Sequence, residues 1–449
     1  MARPGASVCA AVMSFVCLIA ASGSARADDG AGEGDAAPGR WALHIQSTLL
    51  EQAHPAFASA YAGPNSLNPS ANGRETWDVT LYGGFQPWRG GEIWADPELD
   101  QGFGLSNTLG VAGFPSGEAY KVGRSAPYWK LQRLFLRQTL GFSAASGKRG
   151  DDLNQFAGPQ TDDRLALTIG KFSVADVFDT NGLAHDPRQD FMNWSLIDAG
   201  TFDYASNAWG YTVGAAAEWY QGRWTLRAGV FDLSAAPNST DLDRHFGQLQ
   251  FVGEAERRYS LAGRDGTLKL TGFLSRGRMG RFADALALAL STGQAADAAL
   301  VRRYRSRAGL SLNLEQRLTD DLGVFARFGL ADGSVEPYDF ADIDRTVSAG
   351  LSLAGAAWGR KDDTVGAAGV VNSISKVHQA YLAAGGIGIL VGDGQLPHPG
   401  PEGILETYYS LGLARGVRFS LDYQFVDHPA YNRDRGPVSV FGARLHGQF

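Results

Sequence analysis

The chain has two cysteines in 449 residues, and both, Cys9 and Cys17, lie in a segment that reads as a removable leader. Arg3 gives that segment a positive start, Val8 to Ala21 is a short apolar run, and Ala25-Arg26-Ala27 is a small-x-small cleavage site ahead of Asp28. The run is too short to span a membrane as a helix, so residues 1–27 are expected to be a secretory signal peptide. Ser14-Phe15-Val16 fits poorly as the approach to a lipoprotein Cys17. An exported chain without cysteine after its leader excludes a disulfide scaffold and thiolate metal sites. Basic excess is also missing. The net charge is −7, and losing Arg3 and Arg26 makes it more negative by two, so the basic face that nucleic acid requires is not present. No apolar stretch beyond the leader approaches the roughly 20 residues of a membrane-spanning helix. If this chain sits in a membrane, it does so as strands.

What the sequence has is alternation. Residues 28–40, rich in Gly, Ala and Asp, read as a flexible lead-in. From Trp41 to Phe449 apolar and polar residues alternate in segments of roughly ten, the span of a tilted transmembrane strand. Val417, Phe419, Leu421, Tyr423 and Phe425 share one face, with Arg418, Ser420, Asp422 and Gln424 on the other. Leu310, Leu312 and Leu314 alternate with Ser311, Asn313 and Glu315 in the same way. About sixteen such strands can be placed, near 41–50, 75–86, 91–100, 130–141, 163–172, 210–220, 223–231, 246–258, 266–277, 306–317, 322–332, 346–357, 363–372, 402–413, 416–426 and 438–449.

A soluble sandwich would alternate too, so the links carry the distinction. Short ones (Pro87 to Gly90, Gln221-Gly222, Leu318 to Asp321, Trp358 to Asp362, Ala414-Arg415) mostly alternate with long ones (Glu51 to Arg74, Gln101 to Trp129, Ser173 to Trp209, Gly277 to Arg305, Asn372 to Pro401). Phe142 to Asp162 is longer than that rule expects. Tight turns at one rim and long loops at the other, with an even strand count, describe an all-β, antiparallel outer-membrane barrel over 41–449. About sixteen strands leave an aqueous lumen. Arg227, Lys269, Arg327, Glu406, Arg418 and Asp422 alternate onto its inner face and are expected to meet water there. In the last segment Phe441, Ala443, Leu445, Gly447 and Phe449 share a face. A terminal aromatic on such a strand resembles the signal read by outer-membrane assembly machinery. Asp284 to Arg303 has helical spacing and is expected to form a helix in an outer loop.

Nearly the whole exported length resembles the carbohydrate-selective porin family of the OprB type. The resembling stretches are His44-Ile-Gln-Ser-Thr48 through Pro55-Ala-Phe57, Tyr61-Ala-Gly-Pro-Asn-Ser-Leu67 and Pro87-Trp-Arg-Gly-Gly-Glu92. They continue through Leu134-Phe-Leu-Arg-Gln-Thr139, Gly170-Lys-Phe-Ser-Val174, Ala184-His-Asp-Pro-Arg188 and Asn193-Trp194. Later come Thr319-Asp-Asp-Leu-Gly-Val-Phe-Ala326, Leu382-Ala-Ala-Gly-Gly386, Tyr409-Ser-Leu-Gly412, Pro429-Ala-Tyr431 and Arg435-Gly-Pro437. No one run is specific; their order and coverage together are. The resemblance implies a sixteen-stranded barrel admitting glucose and related sugars by passive diffusion, with outer-membrane lipid around it and no cofactor. General porins trimerise, but no lipid-facing patch in the sequence decides whether this chain forms a homo-oligomer.

A sugar pathway needs aromatic faces for the apolar side of a pyranose ring and charged groups for its hydroxyls, with binding weak enough to release. The third strand offers Glu92, Trp94, Asp96, Glu98 and Asp100 on one face, and the fourth offers Arg133 and Arg137 with Phe135 between them. The same charges could instead pair with one another to stabilise the barrel. The third outer loop, 173–209, holds Asp176, Asp179, Arg188 and Trp194; third loops of porins fold inward, so the resemblance makes it the candidate constriction. Other readings stay open: a general or anion-tolerant diffusion porin, or a structural or adhesive barrel. An enzyme is not expected. Asp427-His428 and Asp151-Asp152 fall on opposite rims, there is no Gly-x-Ser-x-Gly, and the eight histidines are scattered without metal-ligand spacing. With no plug-sized segment between the leader and Trp41, energy-coupled gating is not expected either.

Overall fold

The computed structural model describes residues 40–119 and 122–449; the leader and all but the last residue of the lead-in fall outside the described residues. Alternation becomes geometry directly. The strands are β1 (Trp41–His54), β2 (Asn72–Phe85), β3 (Gly91–Gly102), β4 (Arg124–Gly141), β5 (Gly147–Arg149), β6 (Gly158–Gln160), β7 (Arg164–Phe172), β8 (Thr212–Gln221) and β9 (Trp224–Asp232). They continue as β10 (Leu249–Leu261), β11 (Arg264–Met279), β12 (Arg303–Arg317), β13 (Leu322–Ala331), β14 (Arg345–Gly355), β15 (Arg360–Ser373), β16 (Glu402–Ala414), β17 (Val417–Asp427) and β18 (Val438–Gln448). All but β5 and β6 join one closed antiparallel barrel of sixteen strands, matching every segment read from the sequence. β18 pairs with β17 on one side and with β1 on the other, and Phe449 exchanges backbone hydrogen bonds with Ile45. Closure removes the unpaired edge that an apolar last strand would otherwise expose.

Every second residue faces outward, where Leu310, Leu312, Leu405, Leu421 and Phe441 are exposed, while Ser311, Asn313, Glu406, Asp422 and Gln424 are buried on the inner face. An apolar exterior over a polar interior is the inverse of a soluble barrel and suits lipid. Trp41, Trp88, Phe142, Trp219, Trp224 and Trp358 stand exposed at or beside the short-turn rim, forming one of the aromatic girdles such barrels place at the membrane interface.

Two expectations need correction. The lumen is not lined throughout by charges meeting water. Arg327, Lys269, Glu406 and Asp422 do point inward, but each is buried and mostly serves chain that folds into the barrel. Arg327 donates to the carbonyls of Leu196, Ala184 and Ile197; Glu406 accepts from the amides of Met192 and Asn193; Lys269 donates to Thr180. Alternation specifies which face a side chain takes, not what covers that face. Arg418 is only partly buried at the short-turn rim, donating to the carbonyl of Asp362. The outer-loop helix is shorter than its spacing suggested. It spans Phe282–Thr292 and stops because Gly293 takes a left-handed φ of 71° as its cap.

Candidate functional site

The loop between β7 and β8 crosses the lumen. It opens with a turn capped by Ser173, whose amide donates to Asp176, and carries a one-turn helix α1 (Trp194–Ile197) capped by the Asn193 side chain. Its far side is fastened to the opposite wall through backbone groups. Besides the Arg327 and Glu406 contacts, Arg444 on β18 donates to the carbonyls of Pro187, Gln189 and Asp190. Asp179 is fully buried, accepting from the Ala199 amide at 2.6 Å and from Asn313 at 2.9 Å. Each anchor gives a polar group a partner it would otherwise lose on leaving water, which is why the loop lies inside rather than over the mouth.

A second insertion was not read from the sequence. The loop after β3 turns inward at Val111 to Phe114, where Glu402 accepts from the amides of Ala112 and Gly113. Gly110 makes this possible: its φ is 88°, and a Cβ there would lie 1.7 Å from the Leu67 amide nitrogen. Phe114 stacks on Trp194 at 5.1 Å, joining the two loops. The signal that could have revealed it is the apolar Val111 to Phe114 run inside a connection that would otherwise be exposed.

Among the described residues a cavity of about 1110 Å³ lies open against the wall of β2–β4 and β7–β9. Its lining runs from Arg164, beside the short turns, to Trp209, beneath the long loops. On its lining Arg133 and Asp176 form a bidentate pair (2.8 and 2.6 Å), with the guanidinium over the Tyr211 ring at 4.9 Å. Burial opposes charge on Asp176, but Arg133 outweighs it and holds the carboxyl below its ordinary range. Arg188 reaches back to the β2–β3 wall, its Nε 3.1 Å from Glu118 and 3.7 Å from Asp78, and its Nη2 3.4 Å from Glu98. Burial pushes the Glu118 carboxyl above its ordinary range despite Arg188. Arg227, on β9, holds Glu218, Glu254 and Glu256. The cavity is thus charged, with most of its charges paired, and Trp209 and Tyr211 are part of its lining, each with a cation over its ring.

Of the residues singled out from the sequence, Glu92, Arg133, Arg137, Asp176, Arg188 and Trp194 line this cavity. Asp96 and Glu98 lie behind it as partners of Arg133 and Arg188. Asp179 is a loop anchor. Trp94 has no exposed surface: Phe156 packs on it at 4.9 Å, and its Nε1 donates to Glu92, so its face is occupied by protein. Trp209, Tyr211 and Glu118 were not identified from the sequence, because all three sit in or beside loops whose path alternation does not reveal; Arg227, expected as an inner-face charge meeting water, is instead buried among three glutamates.

His185 adds a titratable group to the loop. Nε2 faces the Ala175 carbonyl at 3.1 Å, and Nδ1 faces both the Ile197 carbonyl at 3.4 Å and Asp198 at 3.3 Å. With acceptors at both nitrogens, only the imidazolium satisfies all of them. Burial disfavours that charge and Arg327 opposes it, but the hydrogen bond and charge of Asp198, helped by Asp179, raise the pKa above its ordinary 6.5. A raised folded value means that the stabilisation is complete below pH 6.5 and is lost as pH climbs through the folded pKa. Open-channel current noise in planar bilayers is therefore expected to grow on the alkaline side, and His185→Gln is expected to abolish that dependence. An unchanged pH profile in the variant would contradict the assignment.

Barrels built this way, apolar toward lipid and narrowed from within by loops around a charged cavity, are the diffusion channels of the Gram-negative outer membrane. Within that class the chain belongs to the carbohydrate-selective porin, OprB family, whose family model matches residues 64–449. Among solved structures it is similar to a high-pH structure of Pseudomonas putida OprB, at TM-score 0.67 and 15% identity over 91% of this chain and 94% of that one. It is also similar to the outer membrane channel DcaP of Acinetobacter baumannii, at TM-score 0.50 and 9% identity over 91% and 97% of the two chains. At such identities these likenesses speak to the fold. A porin AaxA of Chlamydia abortus is 28% identical over 138 residues, 31% of this chain and 27% of that protein.

Proposed function

We propose that glucose-sized neutral sugars diffuse down their gradient through the cavity between the 173–209 loop and the β2–β4 and β7–β9 wall. The observation that carries the reading is the pairing of the cavity's charges. Arg133 with Asp176, and Arg188 with Glu98 and Glu118, present donors and acceptors already engaged with one another, so that none stands free to hold an ion. Such groups exchange hydrogen bonds with sugar hydroxyls while Trp209 and Tyr211 meet the C–H faces, and neither contact is strong enough to trap the solute. The 173–209 loop is the constriction, and Arg133, Asp176 and Arg188 are its polar contacts.

Liposome swelling tests this. Glucose is expected to enter about tenfold faster than a disaccharide, as a narrow multi-contact pore requires. Equal rates for glucose, a disaccharide and a charged solute of similar size would favour general diffusion; no swelling would favour a structural or adhesive barrel.

The Phe449 ladder to Ile45 supports a further element of the proposal, recognition of the last strand by outer-membrane assembly machinery. Deleting Phe449 is expected to lower the folded outer-membrane fraction several-fold, read by heat-modifiable migration on gels, because β18 is the strand that closes the barrel. An undiminished folded fraction would remove Phe449 from that role.

A further inference from the structure

Six of the links at the short-turn rim run two to five residues, but the one between β4 and β7 runs from Phe142 to Asp163. It does not hang below the barrel. β5 and β6 pair as a small hairpin (Gly147 with Gln160, Arg149 with Gly158), and the segment between them is drawn up against the inner wall. Arg149 Nη2 reaches Glu92 Oε1 at 2.5 Å, Asn154 donates to Asp96 at 2.9 Å, and Arg137 donates to the Asn154 carbonyl at 2.9 Å. Phe156 is buried against Trp94, while Gln448 on the last strand donates to Asp152 at 3.0 Å. The turn thus meets β3, β4 and β18.

The cause is legible in the wall. Glu92 and Asp96 are buried acids that need a cation or donor, and the turn delivers a guanidinium and an amide to them. The consequence concerns the pathway, because Arg149, Asn154 and Gln155 line the same cavity as Arg133 and Arg188, on the side nearer the periplasm.

We infer that this turn is a second selectivity element, an exit constriction in series with the 173–209 loop. It reads the same polyhydroxylated solute through Arg149, Asn154 and Gln155 and rejects larger ones. The inference rests on the sugar-pore reading above, and its test separates the two. Residues 144–158 are replaced by a short Gly-Ser link, and folding is checked by heat-modifiable migration. Single-channel conductance is expected to rise about twofold, and the disaccharide-to-glucose swelling ratio about threefold, as one of two constrictions in series is removed. Arg149→Ala, which keeps the chain length, is expected to move both quantities in the same direction by less, and it decides the matter if the replacement does not fold. Unchanged conductance and ratio in the folded variants would overturn the inference, as would a higher conductance with an unchanged ratio. Failure of wild-type protein to admit glucose would instead overturn the sugar reading on which it rests.

Discussion

Arg327→Ala is expected to release the 173–209 loop and, with that loop as the proposed constriction, to raise single-channel conductance about threefold, with loss of discrimination between glucose and a disaccharide. The guanidinium is buried and binds three carbonyls of the loop, at 2.5 Å to Leu196, 2.8 Å to Ala184 and 3.0 Å to Ile197, while its Nε lies 3.6 Å from Asp179. Truncation leaves those carbonyls and the Asp179 carboxylate without their cation. Breaking a buried pair by deleting one partner costs about 3–5 kcal/mol. A loop is stable against local opening by less than the whole fold, so a loss of that size falls on the loop rather than on the sixteen-stranded ladder. The barrel should therefore still assemble, seen as normal heat-modifiable migration. A folded variant with wild-type conductance and sieving would show that Glu406 and Arg444 suffice to hold the loop.

Arg188→Ala is expected to act on charge rather than on width. Its guanidinium is the shared partner of Asp78, Glu98 and Glu118, so its loss leaves three acids beside the pathway. A unit charge about 6 Å from a passing ion, at an effective dielectric near 40, is worth about 1.4 kcal/mol, or about tenfold in local ion concentration. The cation-to-anion permeability ratio from reversal potentials should rise by about that factor. Glucose swelling should fall, because the freed acids bind water and cations in place of sugar hydroxyls. Unchanged reversal potential and conductance would remove Arg188 from the proposed pathway.

The barrel was legible in the sequence because the constraint that forms it is written into every strand. Lipid outside and polar groups inside force the alternation seen at Leu310 to Glu315 and Val417 to Phe425, so all sixteen strands could be placed. The filling of the lumen was not legible, because inward direction is the same whether a side chain meets water or another loop. Arg327 and Glu406 read as lumenal charges, yet they hold backbone of the 173–209 loop. Trp94 read as a platform for a sugar ring, yet Phe156 from a rim turn covers it. Only resemblance pointed to the 173–209 loop, since its many aspartates suit an exposed loop equally well. The Phe142-to-Asp162 link announced itself by length alone, and its contacts with Glu92 and Asp96 could not have been read from spacing.

The most direct test of the sugar pathway is a crystal structure of the protein soaked with glucose. The hexose is expected in the cavity within hydrogen-bond reach of Arg133, Asp176 or Arg188, with Trp209 or Tyr211 along its C–H face. An empty cavity, in crystals soaked at a concentration that blocks the channel in bilayers, would contradict it.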